Sequence, residues 1–159
     1  MIFVTIGTQP NGFKRFLNAV ENLIEECKIE EEVIAQIGNT PFLTDKFKTI
    51  PFVSENDFKT YVNEASVILS HAGSGSLFSA MKKGKKIIAV ARLHKYNEMG
   101  NDHQLEIVKK LSEEGYVLDG TYSLIDAWRK LEGFTPRQYD FESTIIPALD
   151  NYIDDIFRI

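Results

Sequence analysis

The sequence predicts an α/β fold in which a parallel sheet carries helices on both faces. Three observations predict it: short apolar runs rich in β-branched residues recur along the 159 residues, each leads through a turn into a segment with helical apolar spacing, and the alternation persists to about residue 131. Strands separated by helices return to the same end of a sheet, so they pair in parallel.

The elements follow in order. Residues 2–6, IFVTI, read as a buried strand closed by Gly7, and Phe13, Phe16, Leu17, Val20, Leu23 and Ile24 then mark a helix running to Cys27. A second strand spans 33–37 and stops at Gly38-Asn39, and a shorter extended piece at 50–53 carries Pro51. Ser54 with Asp57 three residues on is a cap signature, and Phe58, Tyr61 and Val62 give the next helix its apolar face. Strands at 67–69, 87–91 and 116–118 alternate with helices at 77–83, around Leu105, Val108 and Leu111, and at 124–131. Residues 1–133 thus form one domain of Rossmann-like pattern. Residues 134–159 form an extension, irregular at first and then carrying the apolar stripe Ile145, Ile146, Leu149, Tyr152, Ile153, Ile156 and Phe157. An amphipathic helix there must cover its own domain or a partner chain.

Composition narrows the function. With 43% hydrophobic and 26% charged residues the chain is globular rather than disordered, and a net charge of -5 offers nucleic acid no basic stripe. Lys82, Lys83, Lys85 and Lys86 form the densest cationic group and read as a solvated helix end. No run of some 18 apolar residues is present, and the N-terminal segment lacks a basic stretch ahead of its apolar run. A single cysteine, Cys27, fits a reducing compartment, so the expected location is cytoplasmic.

Two loops stand where ligands bind in open parallel sheets, at the carboxyl ends of strands. Gly7-Thr8 follows the first strand, and Gly73-Ser74-Gly75-Ser76 follows the strand at 67–69. Glycine lets backbone approach a phosphate, and the N–H groups and dipole of a helix start favour its charge. Tight strand-to-helix turns use the same residues for steric reasons, so from the loops alone both readings stand. The NTPase phosphate loop is excluded for want of its Gly-Lys-Ser/Thr ending, and the dinucleotide fingerprint lacks its third glycine. His71, directly after a buried strand, suits either a loop-holding hydrogen bond or contact with substrate, and Arg92 can add positive charge.

A third cluster, residues 92–106, gathers Arg92, His94, Lys95, Glu98, Asn101 and Asp102 with His103, Gln104 and Glu106. Asn101 or Asp102 can cap a helix, yet capping needs one residue. Planar hydrogen-bonding groups in such number suit sugar hydroxyls, which both donate and accept. His71, His94 and His103 have no ligand-like spacing, so no metal and no cofactor are expected.

With these pieces placed, the chain resembles the C-terminal, nucleotide-sugar-binding half of GT-B glycosyltransferases of family 28. It is similar to stand-alone catalytic subunits of bacterial capsule and exopolysaccharide synthesis, and to the eukaryotic subunit that adds N-acetylglucosamine to a dolichol-linked acceptor. The segments FVTIGTQP, ILSHAGSGS, GKKIIAVAR and NDHQLEIVKKLSEEGYV carry the resemblance from Phe3 to about Val117. It implies that Gly7, Thr8, Gly73, Ser74, Gly75 and Ser76 approach a diphosphate, that the backbone of Phe52 and Val53 meets uracil, and that Asp102, His103 and Gln104 contact the donor sugar. His71 and Arg92 count among the substrate-binding residues, and His103 and Glu98 as the catalytic ones. Two positions depart from the family: Ser79 stands where a ribose-binding glutamate is frequent, and Met99 follows Glu98 where a histidine is common.

The implied activity is inverting transfer of a hexose or N-acetylhexosamine from a UDP-sugar to a lipid-diphosphate-linked acceptor. A full GT-B enzyme has two such domains, so the implied partner is a membrane-anchored subunit that binds the acceptor and holds this protein at the membrane. The rival reading is a non-catalytic accessory protein that binds the same nucleotide-sugar.

Overall fold

A computed structural model describes residues 1–139, so the expected C-terminal stripe lies outside the described residues. The strands are β1 (Ile2–Thr5), β2 (Val33–Gln36), β3 (Lys48–Ile50), β4 (Val67–Ser70), β5 (Lys86–Ala89) and β6 (Leu118–Asp119). They form one parallel sheet in the order β3-β2-β1-β4-β5-β6. The helices are α1 (Lys14–Glu26), α2 (Glu55–Glu64), α3 (Ser74–Met81), α4 (His103–Glu113) and α5 (Leu124–Arg129), with a 3₁₀ turn at His94–Tyr96.

Alternation along the strands divides the core. Ile2 and Val4 of β1, Val33 and Ala35 of β2, and Val67 and Leu69 of β4 face α1 and α5, against Phe13, Phe16, Leu17, Val20 and Leu124. Phe3 and Ile68 face the opposite side, against Val62 of α2, Leu77 of α3 and Val108 of α4. Each central strand is buried on both faces, the expected state of a sheet whose crossovers lay helices over it. The register pairs Thr5 with both Gln36 and Ser70. By the same alternation these three polar residues lie in a row at the carboxyl edge, on the α2 and α3 side.

Several element boundaries differ from the sequence expectation. The extended piece expected at 50–53 pairs instead as Lys48–Ile50, because Pro51 has no N–H to continue the ladder beyond Ile50. Tyr116 and Val117 are buried without joining the sheet, and only Leu118 and Asp119 pair, with Ile88 and Ala89. The helix expected at 77–83 starts earlier, at Ser74. The cap at Ser54 forms as expected, its hydroxyl accepting from the Asp57 N–H at 3.1 Å.

Phe3 links the core to the carboxyl edge. Its ring meets Phe58 and Tyr61 of α2 at centroid distances of 5.4 and 5.3 Å. Truncation there removes the packing that seats α2 on β1. Phe3→Ala is expected to destabilise the domain by about 3–5 kcal/mol in urea unfolding, with faster hydrogen exchange concentrated in α2.

Candidate functional site

The strand order reverses between β1 and β4: β2 and β3 lie outside one, β5 and β6 outside the other. Chain leaving β1 and chain leaving β4 therefore diverge, and the carboxyl edge between them opens as a crevice. Both glycine turns start there.

One side chain sits beneath both. The His71 ring is buried, its backbone N–H donates to the Thr5 carbonyl at 3.0 Å, and its Nδ1 lies 3.2 Å from the same oxygen. A carbonyl only accepts, so the ring proton is on Nδ1. Burial, with Arg92 nearby, lowers the imidazole pKa from 6.5 to about 4, so the ring is neutral at physiological pH. A Cβ added at Gly7 would come 2.7 Å from His71 Cε1, and one at Gly73 would come 2.6 Å from it. Gly7 also has φ +74°, a conformation that disfavours any other residue. Gly73 has an ordinary φ of −69°, so it is glycine because the imidazole fills the place of a side chain. Ala72, which precedes the N-cap Gly73 of α3, is left-handed, φ +63°, and buried, a strained residue.

No side chain caps α3. The first-turn N–H groups of Ser74, Gly75 and Ser76 have no intrahelical partner, and these residues line an open cleft of 490 Å³. The β1 turn contributes Gly7, Thr8 and Gln9, and the start of α2 contributes Val53, Ser54, Glu55 and Phe58. Thr5 and Gln36 complete the lining. An adjoining hollow of 200 Å³ shares Gln9, His71, Gly73 and Ser74 with the cleft, and adds Met99, Asn101, His103, Gln104 and Ile107. The crevice thus joins an uncapped helix start, suited to an anion, to a smaller polar chamber.

Buried charge holds the walls. The Arg92 guanidinium, 1% exposed, donates to the carbonyls of Ile6, Asn11 and Glu98 at 2.8, 2.8 and 3.3 Å. It also lies over the Phe13 ring, 4.6 Å from its centroid. Glu98 takes Arg15 in a two-pronged pair, Nε at 3.0 Å and Nη2 at 2.9 Å, and accepts from the Leu93 N–H at 2.9 Å. Arg15 also donates to the Ala91 and Thr121 carbonyls. Arg15 and Glu98 pair with each other, and the Arg92 guanidinium sets its positive charge against the carbonyls of the β1 turn.

Several residues expected to touch substrate are therefore engaged elsewhere. Arg92 lines neither the cleft nor the hollow, because its guanidinium is spent on backbone carbonyls of the β1 turn. Glu98, expected as a catalytic group, points both carboxylate oxygens at Arg15 and lines a different surface, beside Lys14, Asn18 and Tyr96. Asp102 accepts from the His94 N–H at 2.8 Å and holds the loop. Asp102 is the N-cap residue of α4 but makes no side-chain cap bond, and Asn101 Oδ1 accepts from the His103 N–H at 3.3 Å. Gln104 lines the hollow while its Oε1 accepts from the Arg92 N–H at 3.0 Å. His103 lines the hollow, with Nδ1 3.7 Å from Glu106 Oε2. Val53 lines the cleft and its neighbour Phe52 is half exposed beside it.

Sequence reasoning missed Gln36, Thr5 and Gln9 in the cleft, Met99 and Ile107 in the hollow, and Arg15 as the partner of Glu98. Gln36 carried a readable signal, a polar residue at the carboxyl end of the apolar strand VIAQ. Arg15 carried none, because its partner is 83 positions away. Among the described residues no group of three or more His, Cys, Asp or Glu is arranged to hold a metal ion.

Residues 1–144 match the model of the glycosyltransferase family 28 C-terminal domain. The chain belongs to that family. It is 31% identical over 125 residues to the UDP-N-acetylglucosamine transferase subunit ALG13 of Homo sapiens, an alignment covering 73% of this chain. The chain spans only 10% of the length of that human relative. In structure it is similar to ALG13 as solved by NMR, with a TM-score of 0.58, 18% identity, and coverage of 95% of this chain and 93% of that one. It is also similar to the glycosyltransferase SnogD from Streptomyces nogalater, with a TM-score of 0.56, 18% identity, and coverage of 82% and 34%. The fold is therefore that of the C-terminal half of GT-B glycosyltransferases, as the sequence implied.

Two outcomes test this geometry. Gly73→Ala is expected to destabilise the domain by about 1–3 kcal/mol in thermal unfolding, and adding His71→Ala is expected to recover part of that loss. For the neutral ring, the unfolded chain takes up a proton below pH 6.5 that the folded chain refuses until about pH 4. The stability that His71 contributes is complete above pH 6.5 and is lost as pH falls toward 4, by roughly 3 kcal/mol in all. NMR titration of the His71 ring is expected to show neutral imidazole protonated on Nδ1 down to about pH 5.

Proposed function

We propose that this protein is the UDP-sugar-binding, catalytic part of a glycosyltransferase that moves a hexose or N-acetylhexosamine onto a lipid-diphosphate-linked acceptor in polysaccharide synthesis. The observation that carries the reading is the uncapped start of α3 facing the left-handed Gly7 turn across the strand-order reversal, with the Arg92 guanidinium bound to carbonyls of that turn. That arrangement suits a diphosphate, whose oxygens only accept hydrogen bonds. The name of the human ALG13 relative, a UDP-N-acetylglucosamine transferase subunit, supports the choice of nucleotide and sugar.

In this reading the diphosphate lies on the N–H groups of residues 74–76 and on the Gly7–Thr8 turn, with uracil against the backbone near Val53. The sugar enters the hollow lined by Asn101, His103 and Gln104, where Met99 and Ile107 offer apolar surface to an acetamido methyl group. The acceptor oxygen attacks the anomeric carbon from the face opposite the diphosphate. The bond from that carbon to the diphosphate oxygen breaks, and the electron pair leaves on UDP with inversion. The helix start is preorganised for the negative charge that develops on the leaving group, which lowers the barrier most where charge is greatest.

The proton of the acceptor hydroxyl goes to His103 in this scheme. The two nitrogen bases lining the hollow are His71 and His103; His71 is buried with its Nδ1–H committed to Thr5, whereas the His103 side chain is 39% exposed. Glu106 faces the imidazolium that proton uptake would create. The acceptor itself is held by a membrane-anchored partner subunit, which brings this chain to the membrane surface. Among the described residues no helix is long and apolar enough to cross a membrane.

Calorimetric titration with UDP and a panel of UDP-sugars is the direct test. UDP is expected to bind the wild-type protein, and with partner and lipid acceptor present His103→Ala is expected to lower kcat by at least about 100-fold while the Kd for UDP changes by less than about threefold. UDP binding with no turnover under those conditions would assign the chain as an accessory protein, and absence of UDP binding would remove the whole reading.

A further inference from the structure

The floor of the cleft holds a polar group that the fold itself leaves unused. Gln36 ends β2, pairs with Thr5 on one side and Ile50 on the other, and is 6% exposed. Its side chain lines the cleft, and its Oε1 is buried with no hydrogen-bond partner. A buried amide oxygen left unpaired keeps the cost of its lost hydration, which an apolar residue in the same strand position would avoid. The neighbouring Thr5 hydroxyl does not relieve it, and that oxygen is instead approached by the Gly7 N–H at 3.4 Å.

The unsatisfied atom constrains what can meet it. Oε1 only accepts, and so do the oxygens of a diphosphate, so the phosphate that sits on α3 cannot complete Gln36. The completing group must bring a proton. In a nucleoside diphosphate the candidates are the ribose hydroxyls and a base N–H. A hydroxyl can donate to Oε1 and accept from the amide nitrogen, so it satisfies both ends of the side chain. The ribose also joins the base to the diphosphate covalently, and Gln36 lines the same cleft as the start of α2 and the start of α3.

We infer that Gln36 is the ribose-reading residue of this site, pairing its amide with a 2′- or 3′-hydroxyl of the nucleotide. The assignment rests on the proposed UDP-sugar reading and adds to it a contact, and a selectivity, that the diphosphate cradle does not supply. It makes the site selective for ribonucleotides over deoxyribonucleotides through a residue of β2 that belongs to neither glycine turn.

The test compares UDP, 2′-deoxy-UDP, 3′-deoxy-UDP and inorganic pyrophosphate on the full chain by calorimetric titration. Wild-type protein is expected to bind UDP at least about tenfold tighter than one of the two deoxy nucleotides, since a site built to bond a hydroxyl leaves its own polar group unpaired with the analogue. In Gln36→Met, which keeps the side-chain length, and in Gln36→Leu, that preference is expected to fall to within about twofold, with pyrophosphate affinity unchanged. Retention of the preference in either folded variant overturns the assignment, as does an equal loss for UDP, both analogues and pyrophosphate, which would mark a structural role. Wild-type protein that binds UDP without preferring it to either analogue overturns the assignment while leaving the functional reading intact. Failure of the wild-type protein to bind UDP overturns both.

Discussion

The closure of two backbone turns over one neutral imidazole is the constraint on which the site depends. His71 is tethered twice to the Thr5 carbonyl, through its backbone N–H and through Nδ1, so the end of β4 is locked to the end of β1. The ring then occupies the space that side chains at positions 7 and 73 would need. Both turns can approach a ligand closely because neither has a side chain in the way. A charged histidine is disfavoured in that place, since burial strips its hydration, its Nδ1 meets only the Thr5 carbonyl, and the charge that acts on it, that of Arg92, is of the same sign.

Positive charge reaches the crevice from below instead. Arg92 is held by backbone carbonyls through its two terminal nitrogens, with its buried Nε unpaired, and is covered by the Phe13 ring, and Arg15 with Glu98 ties the loop after β5 to α1. These groups stand outside the lining of the cleft and hollow, yet they set the distance between the β1 turn and the polar chamber that contains His103. Breaking one member of such a buried set leaves an uncompensated charge, a larger penalty than the pair itself is worth. The same residues therefore couple the stability of the loops to the potential that an anion meets above them.

Much of the fold was legible in the sequence because parallel-sheet strands are buried on both faces and stand out as continuous apolar runs, as IFVT and VILS do. Local signals were equally clear where a single turn decides the outcome, as at the Ser54 cap. The roles within the site were less legible. Gly73 suggested close approach to a phosphate, and the structure adds a second cause, the imidazole two residues earlier in the chain that fills its missing side chain. Glu98 and Arg92 have the composition of a sugar-binding loop and the position of internal struts, a difference made by Arg15 and by carbonyls at positions 6, 11 and 12. Gln36 was read only as the tail of a strand.

By itself the sequence determined the class of fold, the alternation of elements and the two glycine turns, because each is encoded in residues within a few positions of one another. Only the tertiary structure decided the strand order, the meeting of the turns over His71, the withdrawal of Arg92 and Glu98 from the crevice and the unpaired Oε1 of Gln36. Those features rest on contacts between residues tens of positions apart, and whether a polar side chain faces a ligand or a carbonyl depends on what folding brings beside it.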